Sequence, residues 1–212
     1  MTPLNCIESN YGIGSALIMI PDISGFTNYI SHADLQHSQV SIASLLEAIL
    51  DSNKLGLTVS EIEGDAILFY NFNDDSTFDE IIEQCELMFD RFHEKLIELK
   101  DDGCKCGSCQ KMQNLGLKFV LHFGELGSLM VKNYCKLYGR DLIIAHRLLK
   151  NDLRSSEYIL FTQEFSSRYE KSDRVNWQER GIEGNAKIED IGTVGYNYFD
   201  LRSKASSKKI VV

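Results

Sequence analysis

Hydrophobic positions in the first third of the chain change from strand-like to helix-like spacing and back. A continuous apolar run over 16–20 predicts a strand that is buried on both faces. Apolar residues spaced three and four apart within 42–50 then predict an amphipathic helix. Two further strands, over 55–63 and 65–70, are predicted on either side of Gly64, where a tight hairpin needs a permissive backbone.

The rest of the chain continues the alternation of helices and strand pairs. Strands over 115–122 and 126–131 are predicted to be joined by a short turn at Gly124. Helices alternating with antiparallel hairpins predict an α+β fold with a ferredoxin-like (split βαβ) core and extra strands. We expect one domain over 1–212, with its core at about 15–165. The remaining predicted elements are helices over 78–99 and 141–150 and strands over 158–162 and 195–201.

Composition and charge narrow the classes of function. The 212 residues are 43% hydrophobic and 25% charged, which is typical of a globular domain. The net charge of −9, without a run of interleaved basic and aromatic residues, argues against a nucleic-acid partner. The start lacks a signal-peptide pattern, and the longest apolar run is too short to cross a membrane. We therefore expect a cytoplasmic protein without a membrane partner.

Two aspartates are candidate ligands of a hard cation. Asp22 ends the first apolar strand and is followed by small residues around Gly25, and Asp65 follows Gly64 in the predicted hairpin. If the hairpin pairs beside the first strand, both carboxylates converge and can support a two-metal site. Each residue also has a structural interpretation, since aspartate commonly caps helices and occupies turns. Position alone leaves both alternatives open.

Four segments, in order, resemble motifs of the class III adenylate and guanylate cyclases. Segment 20–27 resembles the opening motif, in which an aspartate, an isoleucine and GFT follow the first strand. Segment 61–66 resembles the GDA or GDG hairpin, and segment 116–125 is similar to a strand ending in a His-x-Gly turn. Segment 138–148 is similar to the helix with Ala-x-Arg. The resemblance implies the class III nucleotidyl cyclase fold. The segments are 20–27 (IPDISGFT), 61–66 (EIEGDA), 116–125 (GLKFVLHFGE) and 138–148 (YGRDLIIAHRL).

The resemblance also implies a reaction and the residues that serve it. Asp22 and Asp65, with the carbonyl of Ile23, would hold two Mg²⁺ or Mn²⁺ ions beside a purine nucleoside triphosphate. Arg147 would stabilise charge while the ribose 3′-oxygen attacks the α-phosphorus and pyrophosphate leaves. The family builds its sites across a head-to-tail homodimer, so each site would draw on two chains. His146 is assigned to the helix surface or to a dimer contact rather than to proton transfer.

Three positions depart from the family pattern. Glu61 stands where guanylate cyclases carry glutamate and adenylate cyclases lysine, and Lys136 occupies the second base-reading position. The two charges suit the edge of guanine but could equally form a structural ion pair. Ile143 replaces the asparagine that orients the ribose, and Arg140 and Asp141 are candidates to replace it. The alternative to a weak cyclase is therefore a catalytically degenerate nucleotide-binding or regulatory module.

A second candidate metal site is the cysteine-bearing loop over 101–113. Its three thiols could hold Zn²⁺ if a fourth ligand came from His93, Cys85 or a partner chain. The alternative is a set of exposed loop thiols. Without an export signal, the six cysteines are interpreted as thiols or metal ligands rather than as a disulfide framework. The three loop cysteines are Cys104, Cys106 and Cys109.

Overall fold

The computed structural model describes residues 12–72, 74–101, 112–132, 134–169 and 181–202. These residues form eight strands and five helices. The strands are β1 (Ile13–Ser24), β2 (Thr58–Glu63), β3 (Ala66–Asn71), β4 (Gly116–Val131), β5 (Tyr134–Tyr138), β6 (Tyr158–Thr162), β7 (Ile182–Ile188) and β8 (Gly192–Asp200). The helices are α1 (Phe26–Ile30), α2 (Leu35–Asp51), α3 (Phe78–Asp101), α4 (Arg140–Leu148) and α5 (Gln163–Tyr169).

All eight strands belong to one sheet. Seven of them follow the order β2-β3-β1-β4-β6-β8-β7, and β5 pairs with the far end of β4. The β4–β6 pair is parallel and the other pairs are antiparallel. The predicted α+β fold class is confirmed, and β1 lies in the interior of the sheet between β3 and β4.

Helices cover both faces of the sheet around β1. Leu17 and Met19 point to the face covered by α2 and α3, whereas Ala16, Ile18 and Ile20 point to the face covered by α4. Because each face is buried, every residue of this stretch is apolar, as expected for a strand buried on both sides.

The structure corrects the predicted turn at Gly124. Residues 116–131 form one continuous strand, β4, because β1 pairs with β4 without interruption from Ile13–Gly127 to Ser24–Gly116. Gly124 lies inside this ladder opposite Ala16, and the chain reverses only after Val131 to form β5. Four elements were absent from the prediction: α1, β5, α5 and β7.

Two further observations bear on sequence-based expectations. Within the described ranges, no helix combines the length and the apolar character that crossing a bilayer would require. Cys135, in β5, is disulfide-bonded, which departs from the expectation that the cysteines are thiols or metal ligands.

Candidate functional site

The two candidate aspartates lie at the same end of two neighbouring strands. Asp22 is on β1 and pairs in register with Ala66 of β3, the residue that directly follows Asp65. The backbone N–H of Ile23 donates to the carbonyl oxygen of Asp65 at 3.1 Å. This pairing brings the hairpin turn beside β1, which is the arrangement expected from the sequence.

The turn that carries Asp65 depends on Gly64. Glu63 pairs with Ala66, so the hairpin has only two turn residues, Gly64 and Asp65. Gly64 has φ of 63°, a backbone conformation that costs a side-chain-bearing residue free energy. The local sequence therefore explains why Asp65 leaves the sheet at this point.

A cavity of about 550 Å³ opens beside both aspartates. Its acidic lining residues are Asp22, Asp65 and Glu63, and its wall also includes the segment from Ile23 to Asn28. The opposite charge comes from Lys118 of β4, Arg147 of α4 and Lys150 after α4. Carboxylates and cations thus face one cavity, a combination suited to a metal-bound polyphosphate.

Lys118 is a site residue that the sequence analysis missed. It pairs in register with Asp22 across the β1–β4 ladder, and its Nζ lies 3.4 Å from Asp22 Oδ1. The same Nζ donates to the carbonyl oxygen of Leu149 at 3.1 Å. Lys118 is the one charged residue in the apolar stretch 115–121, but only the strand register shows which residue it faces.

Burial is the main cause of the raised pKa values of both aspartates, and nearby charges then act on them in opposite directions. Burial raises the pKa of Asp22, and the nearby Lys118 ammonium partly offsets this effect. Burial, and then the negative charge of Asp22, raise the pKa of Asp65 to about 6. The two carboxylates are therefore close enough to repel each other, and a cation between them would relieve that repulsion.

The helix α4 brings two residues to the cavity wall. Arg147 lines the cavity, and so does His146, whose Nδ1 lies 4.0 Å from Oε2 of Glu63. His146 therefore lines the cavity, whereas the sequence predicted a position on the helix surface or at a dimer contact. Asp141 faces elsewhere, since its Oδ2 accepts the backbone N–H of Glu125 at 2.6 Å.

The predicted base-reading residues form an ion pair with each other outside this cavity. The Lys136 ammonium contacts the carboxylate of Glu61 between β5 and β2, and neither residue lines the cavity. Ile143 has 52% of its side chain exposed and is likewise not part of the cavity wall.

Residues 102–111 of the cysteine loop lie outside the described residues, so Cys104, Cys106 and Cys109 have no structural account. The suggested fourth ligand, His93, has its Nε2 2.8 Å from Oε1 of Glu157. Within the described part of the chain, no three His, Cys, Asp or Glu side chains converge to hold a metal ion. A cation at Asp22 and Asp65 would therefore need oxygen atoms from a ligand or water as well.

Comparison with solved structures identifies the class of fold. The adenylyl cyclase CyaB from P. aeruginosa superposes with a TM-score of 0.65 at 13% identity, covering 91% of this chain and 97% of that one. The guanylate cyclase domain of RhGC from Catenaria anguillulae, in complex with GTP, gives a TM-score of 0.56 at 15% identity, covering 88% and 97%. The chain has the fold of the class III nucleotide cyclase catalytic domains.

Sequence comparison then places the chain in a family. Residues 42–158 match the family described as "Protein of unknown function (DUF2652)". The "Uncharacterized protein Rv2561/Rv2562" of Mycobacterium tuberculosis is 32% identical over 161 residues, which are 76% of this chain and 73% of that protein. The chain belongs to the family described as "Protein of unknown function (DUF2652)".

Proposed function

We propose that the cavity beside Asp22 and Asp65 binds a purine nucleoside triphosphate with divalent cations, and that the chain converts it slowly to cyclic nucleotide and pyrophosphate. The observation that carries this proposal is the pair of adjacent strand-end carboxylates facing a cavity with three cationic side chains. The similar fold of a guanylate cyclase domain in complex with GTP supports the choice of ligand.

The acidic part of the cavity suits Mg²⁺ or Mn²⁺. Asp22 and Asp65 would hold the ions with help from the Ile23 carbonyl, because hard cations prefer oxygen ligands and accept phosphate oxygens and water for the rest. The raised pKa of Asp65 supports this fit, since part of the shift comes from the unrelieved charge of Asp22. Bound cations would activate the attacking oxygen and stabilise the leaving one.

The cationic side chains would hold the triphosphate. Lys118, Arg147 and Lys150 line the cavity, and their ammonium and guanidinium groups can donate to phosphate oxygens. Lys118 contacts Asp22, so cation binding at Asp22 would release its ammonium toward the phosphates. Arg147 would neutralise the charge that develops in the transition state.

A second copy of the chain would complete the site. Glu61 and Lys136 lie outside the cavity that their own chain forms, so they can contact a bound base there only from a partner subunit. Exposed apolar side chains beside them offer a contact surface of the kind that homodimers bury. These side chains are Ile62 on β2, Met130 on β4 and Tyr138 on β5. Glu61 favours GTP over ATP, because a carboxylate accepts both donors on the guanine edge.

A binding module without catalysis is the second candidate. Ile143 offers no hydrogen bond where the ribose would be oriented, and removing one such donor typically slows an enzyme by about 10²–10³. The Glu61–Lys136 ion pair also satisfies two charges that a base would otherwise use. A regulatory module would bind the triphosphate with metal and release it unchanged.

Calorimetry with GTP or ATP, with and without Mn²⁺, tests the proposal. We expect metal-dependent binding of GTP by the unmodified protein, weaker binding of ATP, and slow appearance of cyclic GMP by chromatography. Asp65→Asn should abolish metal-dependent binding, whereas Asp75→Asn, at an exposed position after β3, should not change it. Equal binding with and without metal by the unmodified protein would contradict the proposed site. Metal-dependent binding without cyclic product would support the second candidate, a binding module without catalysis.

A further inference from the structure

A buried polar network fixes the first turn of α4 to the sheet. His122 of β4 is fully buried, and its Nδ1 lies 2.8 Å from Oγ1 of Thr162 on β6. The Nε2 of the same ring faces Oδ1 of Asp141, in the first turn of α4, at 3.4 Å. The other carboxylate oxygen of Asp141 accepts the backbone N–H of Glu125. One side chain therefore connects two strands and a helix.

The neighbours of His122 favour one tautomer. A carboxylate can only accept, so the proton belongs on Nε2, which lies 3.4 Å from Asp141 Oδ1, an electrostatic contact longer than a hydrogen bond. Nδ1 then accepts the hydroxyl proton of Thr162, whose Oγ1 also accepts the backbone N–H of Phe165 at 3.3 Å. Burial lowers the pKa of His122, which keeps the ring neutral at pH 7, although Asp141 and Glu164 oppose the shift and Arg140 adds to it.

The space around Asp141 matches this network. A β-carbon at position 124 would overlap the carboxyl group of Asp141, so the absence of a side chain at Gly124 allows the carboxylate to rest on β4. The N-cap of α4, Gly139, provides no side-chain hydrogen bond to the helix. Asp141 therefore supplies a directional contact at the start of α4, in addition to the apolar packing of Ile144, Ala145 and Leu148.

The other end of α4 reaches the candidate site. Arg147 and His146 lie in the last turn of this nine-residue helix and line the cavity. A helix this short moves as a unit, so the position of its first turn determines where Arg147 points. Apolar packing lacks direction, whereas the contacts of Asp141 determine the rotation and the register of the helix on the sheet.

We propose that His122 is a positioning residue that acts through Asp141 to hold α4 where Arg147 reaches the phosphate-binding cavity. This inference rests on the proposed nucleotide site. It extends that proposal to a residue that touches neither ligand nor metal.

The first experiment compares two buried polar links in one binding assay. His122→Leu removes the contact with α4. Tyr169→Phe is the control, because it removes a comparably buried hydrogen bond away from the cavity, from the Tyr169 hydroxyl to Asp74 Oδ2 at 2.5 Å. We expect His122→Leu to weaken GTP binding with Mn²⁺ by about 3- to 30-fold, a range typical of residues that act from outside a site. Tyr169→Phe should lower the melting temperature without changing the affinity. His122→Gln, which keeps a polar N–H group on the side of Asp141, should recover most of the affinity.

A double-mutant cycle distinguishes positioning from general destabilisation. If His122 acts through α4, adding His122→Leu to Arg147→Ala should cost little further affinity, because the group being positioned is already absent. Hydrogen exchange should also show faster exchange of the α4 amides in His122→Leu. The inference is overturned if His122→Leu binds GTP as tightly as the unmodified protein, or if its effect is undiminished beside Arg147→Ala. Failure of the unmodified protein to bind GTP would instead overturn the proposed function, and this inference with it.

Discussion

Burial and the nearby Asp22 carboxylate disfavour the ionised form of Asp65. Its pKa is raised from 3.8 to about 6, so between these pH values the folded chain binds more protons than the unfolded chain. The resulting stabilisation is complete at low pH and is lost as the pH rises through about 6. Metal binding needs the ionised carboxylate of Asp65, which is the form that lowers the stability of the fold.

A substitution at Asp65 tests this electrostatic strain directly. Asp65→Asn should raise the free energy of unfolding of the metal-free protein at pH 7 by about 1 kcal/mol, a value reduced from the full shift because the group is partly exposed. Urea denaturation at pH 4.5 and pH 7 in the presence of a chelator measures the difference. The gain should shrink at the lower pH, and Asp75→Asn is the matched control. A variant that is less stable at pH 7 would show that Asp65 forms favourable contacts instead.

Ile143 offers a test of lost transition-state stabilisation. Ile143→Asn restores a hydrogen-bonding side chain at the position that the cyclase resemblance assigns to ribose orientation. Interactions made only in the transition state raise turnover and leave affinity unchanged. We therefore expect cyclic nucleotide formation to rise by about tenfold or more, with GTP affinity within about twofold of the unmodified protein.

The control for this experiment is another exposed apolar residue on a helix. Val40→Asn, in α2, should change neither rate nor affinity. An unchanged rate in Ile143→Asn, with normal GTP binding, would favour the binding module over the weak cyclase.

Residue types and local motifs were sufficient to predict some site residues but not others. Asp22 stands at a strand end and Asp65 in a two-residue turn, and both features can be recognised from the few residues around each position. Lys118 and His146 carry no such signal, because their role depends on which strand or helix lies opposite. The pairing of Lys118 with Asp22 follows from the register of a twelve-pair ladder between β1 and β4, which no local pattern reveals.

At the scale of elements, long-range pairing overrode one local signal. A turn was predicted at Gly124 because glycine commonly ends strands. The strand β4 continues through it because β1 supplies a partner for each residue from Gly116 to Gly127. The two long helices were predicted because each presents a sustained apolar stripe to the sheet. The helices α1 and α5 have five and seven residues, too few to show such a stripe.

The connection between α2 and β2 depends on one buried amide of α3. The Oε1 of Gln84 accepts the backbone N–H groups of Lys54 and Leu55, and its Nε2 donates to the carbonyl oxygen of Ser52. Gln84→Leu would leave these three backbone groups without a partner. We expect it to lower the free energy of unfolding by about 2–4 kcal/mol, since each buried unsatisfied group costs about 1–3 kcal/mol.

Denaturation in urea measures this cost. Gln36→Leu, at an exposed position of α2, is the control and should change the free energy of unfolding by less than about 0.5 kcal/mol. Gln84→Leu should still bind GTP with Mn²⁺ as the unmodified protein does, because Gln84 does not line the cavity. An unchanged free energy of unfolding would mean that water replaces the amide at no cost.

At the scale of the whole molecule, the two groups of residues that form the proposed site lie apart from each other on a single chain. Asp22, Asp65 and Arg147 share a cavity, while Glu61 and Lys136 lie together outside it. A twofold dimer would place the second pair of one chain against the cavity of the other and so form two equivalent sites. The structure of a single chain therefore predicts complementation between variants that damage different halves.

Mixing Asp65→Asn with Lys136→Ala tests this arrangement. Each variant alone should bind GTP poorly in the presence of Mn²⁺, the first because it lacks a metal ligand and the second because it lacks a base contact. After co-refolding at equal amounts, half of the dimers should be mixed, and each mixed dimer should contain one intact site, so about a quarter of all sites should bind GTP. Calorimetric stoichiometry and light scattering measure sites and dimers in the same sample. A dimer that shows no recovery would place both halves of the site within one chain, and a monomer that binds GTP would exclude the shared site altogether.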